Sequence, residues 1–142
     1  MTPDTPVQIL DAYATAVYAR DVDALLALYH PDVTVYDMWE SWLYDGRDAW
    51  RGMVEGWFGS LGDGRVEVTF DNVRSTATPE LALVHAFVTY TGQSASGERL
   101  RAMNNRVSMT LVPEGDRWLI QHEHSSAPAQ FETGKVSLQR PV

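Results

Sequence analysis

The 142-residue sequence contains no cysteine. Disulfide bonds, thiolate nucleophiles and cysteine metal ligands are therefore excluded, and redox usage says nothing about the compartment. No apolar run approaches the roughly 20 residues that a membrane-spanning helix requires. The segment MTPDTPVQIL lacks a basic stretch followed by an apolar one, so no signal peptide is expected and the expected location is cytoplasmic.

Positive charge is also scarce. Lysine and arginine number 11 against 19 acidic residues, which gives a net charge of −8. Binding to nucleic acid or to an anionic membrane needs a basic face, so neither is expected as a partner. The sequence also contains no P-loop, no Rossmann glycine pattern and no serine or cysteine nucleophile motif. The aromatic residues clustered between Tyr36 and Phe58 suit an apolar pocket wall, so a small-molecule ligand is the expected partner.

The length suits one domain spanning residues 1–142. Apolar residues at helical spacing predict a helix over 4–19, capped by Asp4 or Thr5. A second helix, DVDALLALYH, is predicted to begin at the Asp21 cap and to end at Pro31. Alternating β-branched residues predict a strand over 33–38 with SWLYD as its hairpin partner, and a third helix follows over 47–60.

Four long strands are predicted in the second half of the chain, separated by turn residues: 65–76, 80–93, 98–112 and 116–125. Helices followed by a run of antiparallel strands predict the α+β class, with the helices on one face of the sheet. The tail, residues 127–142, carries two prolines and little pattern. We expect it to be loosely structured or to lie along a partner.

Three segments resemble proteins of the NTF2-like superfamily, in particular its ketosteroid isomerase-like and SnoaL-like members. They are YATAVYARDVDALLALYHPDVTVYD, DGRDAWRGMVEGWFGSL and RWLIQHEHSSAP, and the resemblance extends over nearly the whole chain. The resemblance implies a cone-shaped fold in which three N-terminal helices pack on a curved antiparallel sheet and enclose a pocket. It also implies a homodimer that forms through the convex face of the sheet.

The resemblance leaves the function open, because this fold carries isomerases, cyclases, hydratases and proteins without any chemistry. One expectation is an enzyme that needs no cofactor and transfers a proton on a small apolar carbonyl compound. The alternative is a non-catalytic ligand-binding or oligomerisation module, similar to the association domain of a calmodulin-dependent kinase. A scaffold without a working pocket is a third possibility.

Asp37 and Tyr13 are the first two catalytic candidates. Asp37 ends the first predicted strand, where isomerase-like relatives place their general base, and a carboxylate beside apolar rings has a raised pKa. Tyr13 lies on the buried face of the first helix, where relatives carry a tyrosine that donates to an oxyanion. The simpler interpretations are a turn-capping aspartate and a core tyrosine.

Arg106 is a third candidate. It lies near the position where steroid isomerases keep a protonated aspartic acid, so the sequence departs from their pattern. A guanidinium in the pocket would suit an anionic ligand or an enolate, and it could pair with Asp37 or Glu123. Such a pair could also serve the fold alone.

The last strand contains the sequence IQHEHS. Strand alternation places Gln121, Glu123 and Ser125 on one face, and His122 and His124 on the other together with Ile120. The resemblance implies that the first set faces the pocket, with Glu123 as a second carboxylate, and that the histidines face a dimer partner. If the alternation is offset by one residue, His122 or His124 becomes the pocket base.

The pair of histidines could bind zinc, but the sequence shows no third ligand, so no metal is expected. The remaining ligand-binding candidates are aromatic, aliphatic or amide side chains. They are Trp39, Trp57, Val88 and Asn105. Trp42, which flanks the hairpin with Trp39, is expected to pack in the core or to cover the pocket mouth.

Overall fold

The computed structural model describes residues 5–141. Its elements, in chain order, are α1 (Gln8–Ala19), α2 (Val22–Leu26), β1 (Tyr29–Tyr36), β2 (Tyr44–Asp45), α3 (Arg47–Gly59), β3 (Arg65–Ala77), β4 (Ala82–Gln93), β5 (Arg99–Glu114) and β6 (Arg117–Ser126). The predicted four long strands and three helices are therefore present. Asp4, one of the two predicted caps of the first helix, lies outside the described residues.

The strands form one six-stranded sheet in the order β2-β1-β6-β5-β4-β3. Neighbouring strands are antiparallel except β1 and β6, which are parallel. The α+β prediction is correct, but the sheet is not wholly antiparallel. The third helix also follows β1 and β2, so the helices do not form one N-terminal group.

The second helix is shorter than predicted. Asp21 caps it, because its side chain accepts a hydrogen bond of 3.0 Å from the backbone N–H of Ala24. The helix ends at Leu26, and Tyr29 already begins β1, which includes Pro31. Proline has no N–H to donate to a neighbouring strand. It is tolerated here because the pairing of β1 with β6 is already irregular between Tyr29 and Thr34.

The hydrophobic core lies between the helices and one face of the sheet, here called the inner face. Helices α1 and α3 contribute Val17 and Val54, and the strands contribute Val84 and Leu111, all of them fully buried. This burial stabilises the fold by roughly 1.5–3 kcal/mol for each aliphatic side chain of this size. No helix among residues 5–141 is long and apolar enough to cross a membrane.

Two β-bulges decide which side chains face inward. In β6, Ile120 pairs with Leu111 and His122 pairs with Thr110, so Gln121 is an extra residue. In β3, a similar irregularity between Asp71 and Arg74 includes Asn72, which has a φ of 52°. A bulge inserts one residue into the alternation, so the side chains beyond it exchange faces.

The tail contains no helix or strand over residues 127–141, only an isolated bridge between Ala129 and Val136. It nevertheless returns to the sheet. The last pair between β5 and β6 is Arg106 with Ser126, and past that point the N–H of Asn104 donates to the carbonyl of Leu138 at 2.8 Å. The tail therefore lies beside β5 where β6 has ended.

Candidate functional site

A cavity of about 880 Å³ opens on the inner face of the sheet. Helix α1 contributes Tyr13 to its lining, α3 contributes Trp50 and Trp57, and the strands contribute aromatic rings as well. The aromatic lining residues on the strands are Tyr44, Phe70 and Tyr90. Such a lining suits a mostly apolar small molecule, because ligand sites are typically apolar with a few well-placed polar groups.

The polar groups of the cavity gather where β1 ends beside β6. The parallel pairing sets Val35 opposite Glu123, and so Asp37 follows β1 close to Ser125. The Ser125 hydroxyl donates to Asp37 Oδ1 at 3.1 Å and accepts from the Met38 N–H at 3.2 Å. The β1–β6 pairing therefore brings two carboxyl groups to one wall.

Glu123 is the more deeply buried of the two, with only 4% of the residue exposed. Its Oε1 accepts a hydrogen bond of 2.7 Å from the Tyr29 hydroxyl. The pKa of Glu123 is raised to about 7, chiefly by burial; the Tyr29 hydrogen bond opposes the rise and the negative charge of Asp37 adds to it. Near neutral pH this carboxyl therefore exists both with and without its proton.

Asp37 is half-buried. Burial raises its pKa, while the hydrogen bonds from Ser125 and from the backbone of Trp39 and Met38 oppose the rise. A carboxylate held by several donors yet still bordering the cavity remains available to exchange a proton with a bound molecule.

Two phenols meet in the cavity. The hydroxyls of Tyr13 and Tyr90 are 3.2 Å apart, and either can donate to the other. Burial raises the pKa of both, so both keep their protons at neutral pH. The hydrogen bond between them uses one of the two hydroxyl hydrogens. The other can therefore form a hydrogen bond to a ligand oxygen.

Asn105 adds an acceptor. It is only 8% exposed, lines the cavity, and points its Nδ2 at Met38 Sδ at 3.4 Å. Its Oδ1 has no hydrogen-bond partner among residues 5–141. An unpaired buried acceptor costs free energy, so the site favours a molecule that brings a donor to this oxygen.

The pocket placement of Arg106 is wrong. Alternation along β5 turns Asn105 and Val107 inward, so Arg106 between them faces the outer side of the sheet. There its Nε donates to the Ser126 hydroxyl at 2.8 Å. Within the described part of the chain it forms no ion pair with Asp37. Arg106 therefore places no guanidinium beside the carboxyl groups of the cavity.

Gln121 was expected in the pocket and is misplaced, whereas His122 and His124 lie outside the cavity, as alternation along the last strand predicted. Gln121 is exposed because it is the extra residue of the bulge. His122 and His124 face outward, where their rings lie 4.7 and 5.4 Å from the ring of Tyr36. Nδ1 of His122 is 2.8 Å from both the hydroxyl and the carbonyl oxygen of Thr34. Neither histidine can be the pocket base.

The remaining candidates border the cavity: Tyr13, Asp37, Trp39, Trp57, Val88, Asn105, Glu123 and Ser125. Their chemical roles stay predictions. Trp42 is 96% exposed, so the expectation of core packing is wrong for it. Tyr29 and Tyr90 were missed, although Tyr90 shares the inward alternation of Val84 and Val88 and could have been found from it.

No cluster of three or more histidine or acidic side chains suited to a metal ion occurs among residues 5–141. A second, smaller hollow of about 470 Å³ lies on the outer face and includes Arg74, His85, Arg106 and His124 in its lining. The bulge in β3 sets Arg74 opposite His85 and thereby places it on this face.

Helices packed on one face of a curved six-stranded sheet define the NTF2-like fold class. The chain belongs to the SnoaL-like domain family, whose sequence model matches residues 7–130. No functionally curated protein shows a detectable match to the sequence.

Several solved structures share the fold. An NTF2-like protein of unknown function from Pseudomonas putida is 24% identical, with a TM-score of 0.82 over 95% of this chain and 93% of that chain. A putative calcium/calmodulin-dependent protein kinase II association domain from Xanthomonas campestris is 16% identical, with a TM-score of 0.73 over 86% and 84%. Aln2 from a Streptomyces species is 16% identical, with a TM-score of 0.73 over 84% and 85%. At these identities the likeness establishes the fold alone.

Proposed function

We propose that this protein binds a small, mostly apolar carbonyl compound and catalyses an isomerase-, cyclase- or hydratase-type proton transfer without a cofactor. The observation that carries the proposal is the pair of carboxyls with raised pKa, Asp37 and Glu123, in an aromatic cavity that also contains the Tyr13–Tyr90 pair. Groups with perturbed pKa values that converge in a cavity are typical of acid–base sites.

Each group has a distinct role in the proposed reaction. Asp37, half-buried at the edge of the cavity, removes a proton next to the carbonyl of the ligand and returns it to another atom. The hydroxyl hydrogen that the Tyr13–Tyr90 hydrogen bond does not use forms a hydrogen bond to the carbonyl oxygen as negative charge develops on this oxygen. Glu123 holds or releases a proton near neutral pH and so adjusts the charge beside Asp37.

The position of Arg106 changes the expected ligand. The polar wall consists of carboxyl, phenol and amide groups, and the basic lining residue Arg101 lies further along β5, toward the β4–β5 turn. Two carboxyls would repel an anionic group, so we infer that the reacting end of the ligand is neutral. A hydroxyl or N–H on the ligand would satisfy the unpaired Oδ1 of Asn105.

The proposal is tested with Asp37→Asn. Candidate ketones are incubated with the protein in D₂O, and exchange of the protons next to the carbonyl is followed by NMR. We expect the variant to lose about 100-fold or more of the exchange rate while it keeps ligand binding and thermal stability. The matched control is Asp116→Asn in the exposed β5–β6 turn, which should exchange as the unmodified protein does. An unchanged rate in Asp37→Asn would contradict the proposed role.

The second candidate function is a ligand-binding or assembly module without chemistry. Its support is the fold shared with the protein described as a putative kinase association domain. Ligands that raise the melting temperature but show no exchange would favour this alternative. The cavity of about 880 Å³ argues against a scaffold without a working pocket.

We further propose a homodimer that forms through the outer face of the sheet and is located in the cytoplasm. Support comes from apolar side chains on this face, because Tyr36 and Leu83 are each 44% exposed there. Sedimentation of the protein should give twice the monomer mass, and Leu83→Glu should shift it toward the monomer. A monomer at micromolar concentration would contradict the proposed dimer.

A further inference from the structure

Part of the cavity wall comes from the tail. Leu138 and Gln139 line the cavity, although the match to the family ends at residue 130. The tail therefore supplies a part of the cavity wall that lies outside the family match.

Asn104 fixes the tail to β5 through both its backbone and its side chain. Its N–H donates to the Leu138 carbonyl, and its Oδ1 accepts from the Arg140 N–H, each at 2.8 Å. Its Nδ2 donates to the Thr89 hydroxyl on β4 at 2.9 Å, which fixes the orientation of the amide. Asn104 thus holds the tail, whereas the neighbouring Asn105 faces the cavity.

Arg140 provides the second attachment, on the outer face of the sheet. Its Nη2 lies 2.8 and 2.6 Å from the two carboxylate oxygens of Asp71 on β3. Its guanidinium carbon lies 4.4 Å from the centre of the Phe87 ring on β4. An ion pair and a cation–π contact therefore join the end of the tail to two further strands.

These attachments are polar and near the surface. Leu138 is half-buried, and Gln139 and Arg140 are exposed, so the tail is joined to the fold without entering the core. Segments that bury little apolar surface open locally while the rest of the domain stays folded. Opening of this segment would remove Leu138 and Gln139 from the cavity wall and widen its entrance.

We propose that residues 137–140 are a movable wall that limits which ligands enter the cavity and how long they stay, with Arg140 as its latch. The inference rests on the proposed ligand-binding function of the cavity. A ligand leaves when the wall opens, so weakening the latch raises the open fraction and the dissociation rate in proportion. The side chain of Leu138 sets how much room the closed wall leaves.

The test uses N-phenyl-1-naphthylamine, a neutral apolar probe that fluoresces in apolar sites, and Arg140→Ala. Stopped-flow dissociation should be about five- to tenfold faster in the variant, which corresponds to the loss of one exposed ion pair and one cation–π contact. The matched control is Arg51→Ala, because Arg51 is 38% exposed like Arg140 and pairs with Asp23 at 2.9 Å away from the cavity. The control should leave the dissociation rate unchanged.

A second measurement does not depend on the probe. Hydrogen exchange of the Asn104 amide, which donates to Leu138, should accelerate by a similar factor in Arg140→Ala while amides of the β4 centre keep their protection. A further variant, Leu138→Ala, tests the size of the closed cavity. A neutral dye bulkier than N-phenyl-1-naphthylamine should bind this variant at least about threefold more tightly than it binds the unmodified protein. The gain in affinity should be smaller for N-phenyl-1-naphthylamine itself.

The outcomes separate the two proposals. Faster probe release and faster Asn104 exchange in Arg140→Ala, with neither change in Arg51→Ala, would support the movable wall. Probe binding with equal release rates in both arginine variants would overturn it and leave the ligand-binding function standing. If neither dye binds the unmodified protein, the binding function proposed for the cavity fails, and the selective role of the wall fails with it.

Discussion

Burial of Glu123 should make the protein less stable as the pH rises. In the unfolded chain this carboxyl has the ordinary pKa of 4.5, and in the folded protein burial raises it to about 7. Between these values the folded state keeps a proton that the unfolded state has released, so stability is full below the lower value and falls as pH increases. At about 1.4 kcal/mol per pKa unit, the loss is about 3 kcal/mol across pH 4 to 8, and about 2 kcal/mol of it falls between pH 5 and 7.

The substitution Glu123→Gln isolates this contribution. Glutamine is nearly the same size and its carbonyl oxygen can still accept from Tyr29, but it does not ionise. Urea unfolding at pH 4, 5, 6, 7 and 8 gives the free energy of unfolding of each protein. We expect the unmodified protein to lose about 3 kcal/mol relative to the variant across this range, and the variant to be the more stable of the two at pH 8.

Glu132→Gln in the tail is the control, because Glu132 is exposed and should have little influence on folding. Its unfolding free energy should follow that of the unmodified protein at every pH. Parallel curves for Glu123→Gln and the unmodified protein would refute the reasoning, since they would mean that Glu123 ionises equally easily in the folded and unfolded states.

Two further predictions concern single contacts. The Tyr29 hydroxyl donates to Glu123 and thereby lowers the pKa of this carboxyl, and Tyr29→Phe removes that hydroxyl. The carboxyl ¹³C titration of Glu123 should therefore move to higher pH in the variant. A titration that stays in place would show that the hydrogen bond has no such effect. Gly64→Ala would bring a methyl group to 2.9 Å from the carbonyl oxygen of Gln93, so urea unfolding should show a loss of about 1–3 kcal/mol, and an unchanged midpoint would mean that this turn can shift without cost.

Local signals predicted the elements well where one physical rule dominates. Periodicity predicted the helix Arg47–Gly59 to within one residue, and turn residues separated the four long strands at the correct places. The second helix was predicted too long, because LALYH has apolar spacing that suits either a helix or the start of a buried strand. Its true end depends on the pairing of β1 with β6, a strand far away in the sequence.

The candidate site divides in the same way. Asp37 and Tyr13 follow from a strand end and a helix face, which are local properties. Arg106 was placed by resemblance against the alternation of its own strand, and Asn105 beside it takes the inward position. Tyr29 enters the site through its hydrogen bond to Glu123, a residue near the other end of the chain.

The sequence by itself determined the α+β class, the absence of thiol chemistry, the acidic charge and the abundance of aromatic residues, because composition and periodicity are properties of the chain. Only the tertiary structure decided which polar groups meet in the cavity. Alternation already set Glu123 on the face opposite the histidines, but the extra residue Gln121 changes the start of β6, so Ile120 points inward like Glu123 and Gln121 does not line the cavity. A bulge shifts alternation by one residue and is fixed by pairing with a neighbouring strand, so periodicity within one strand does not reveal it.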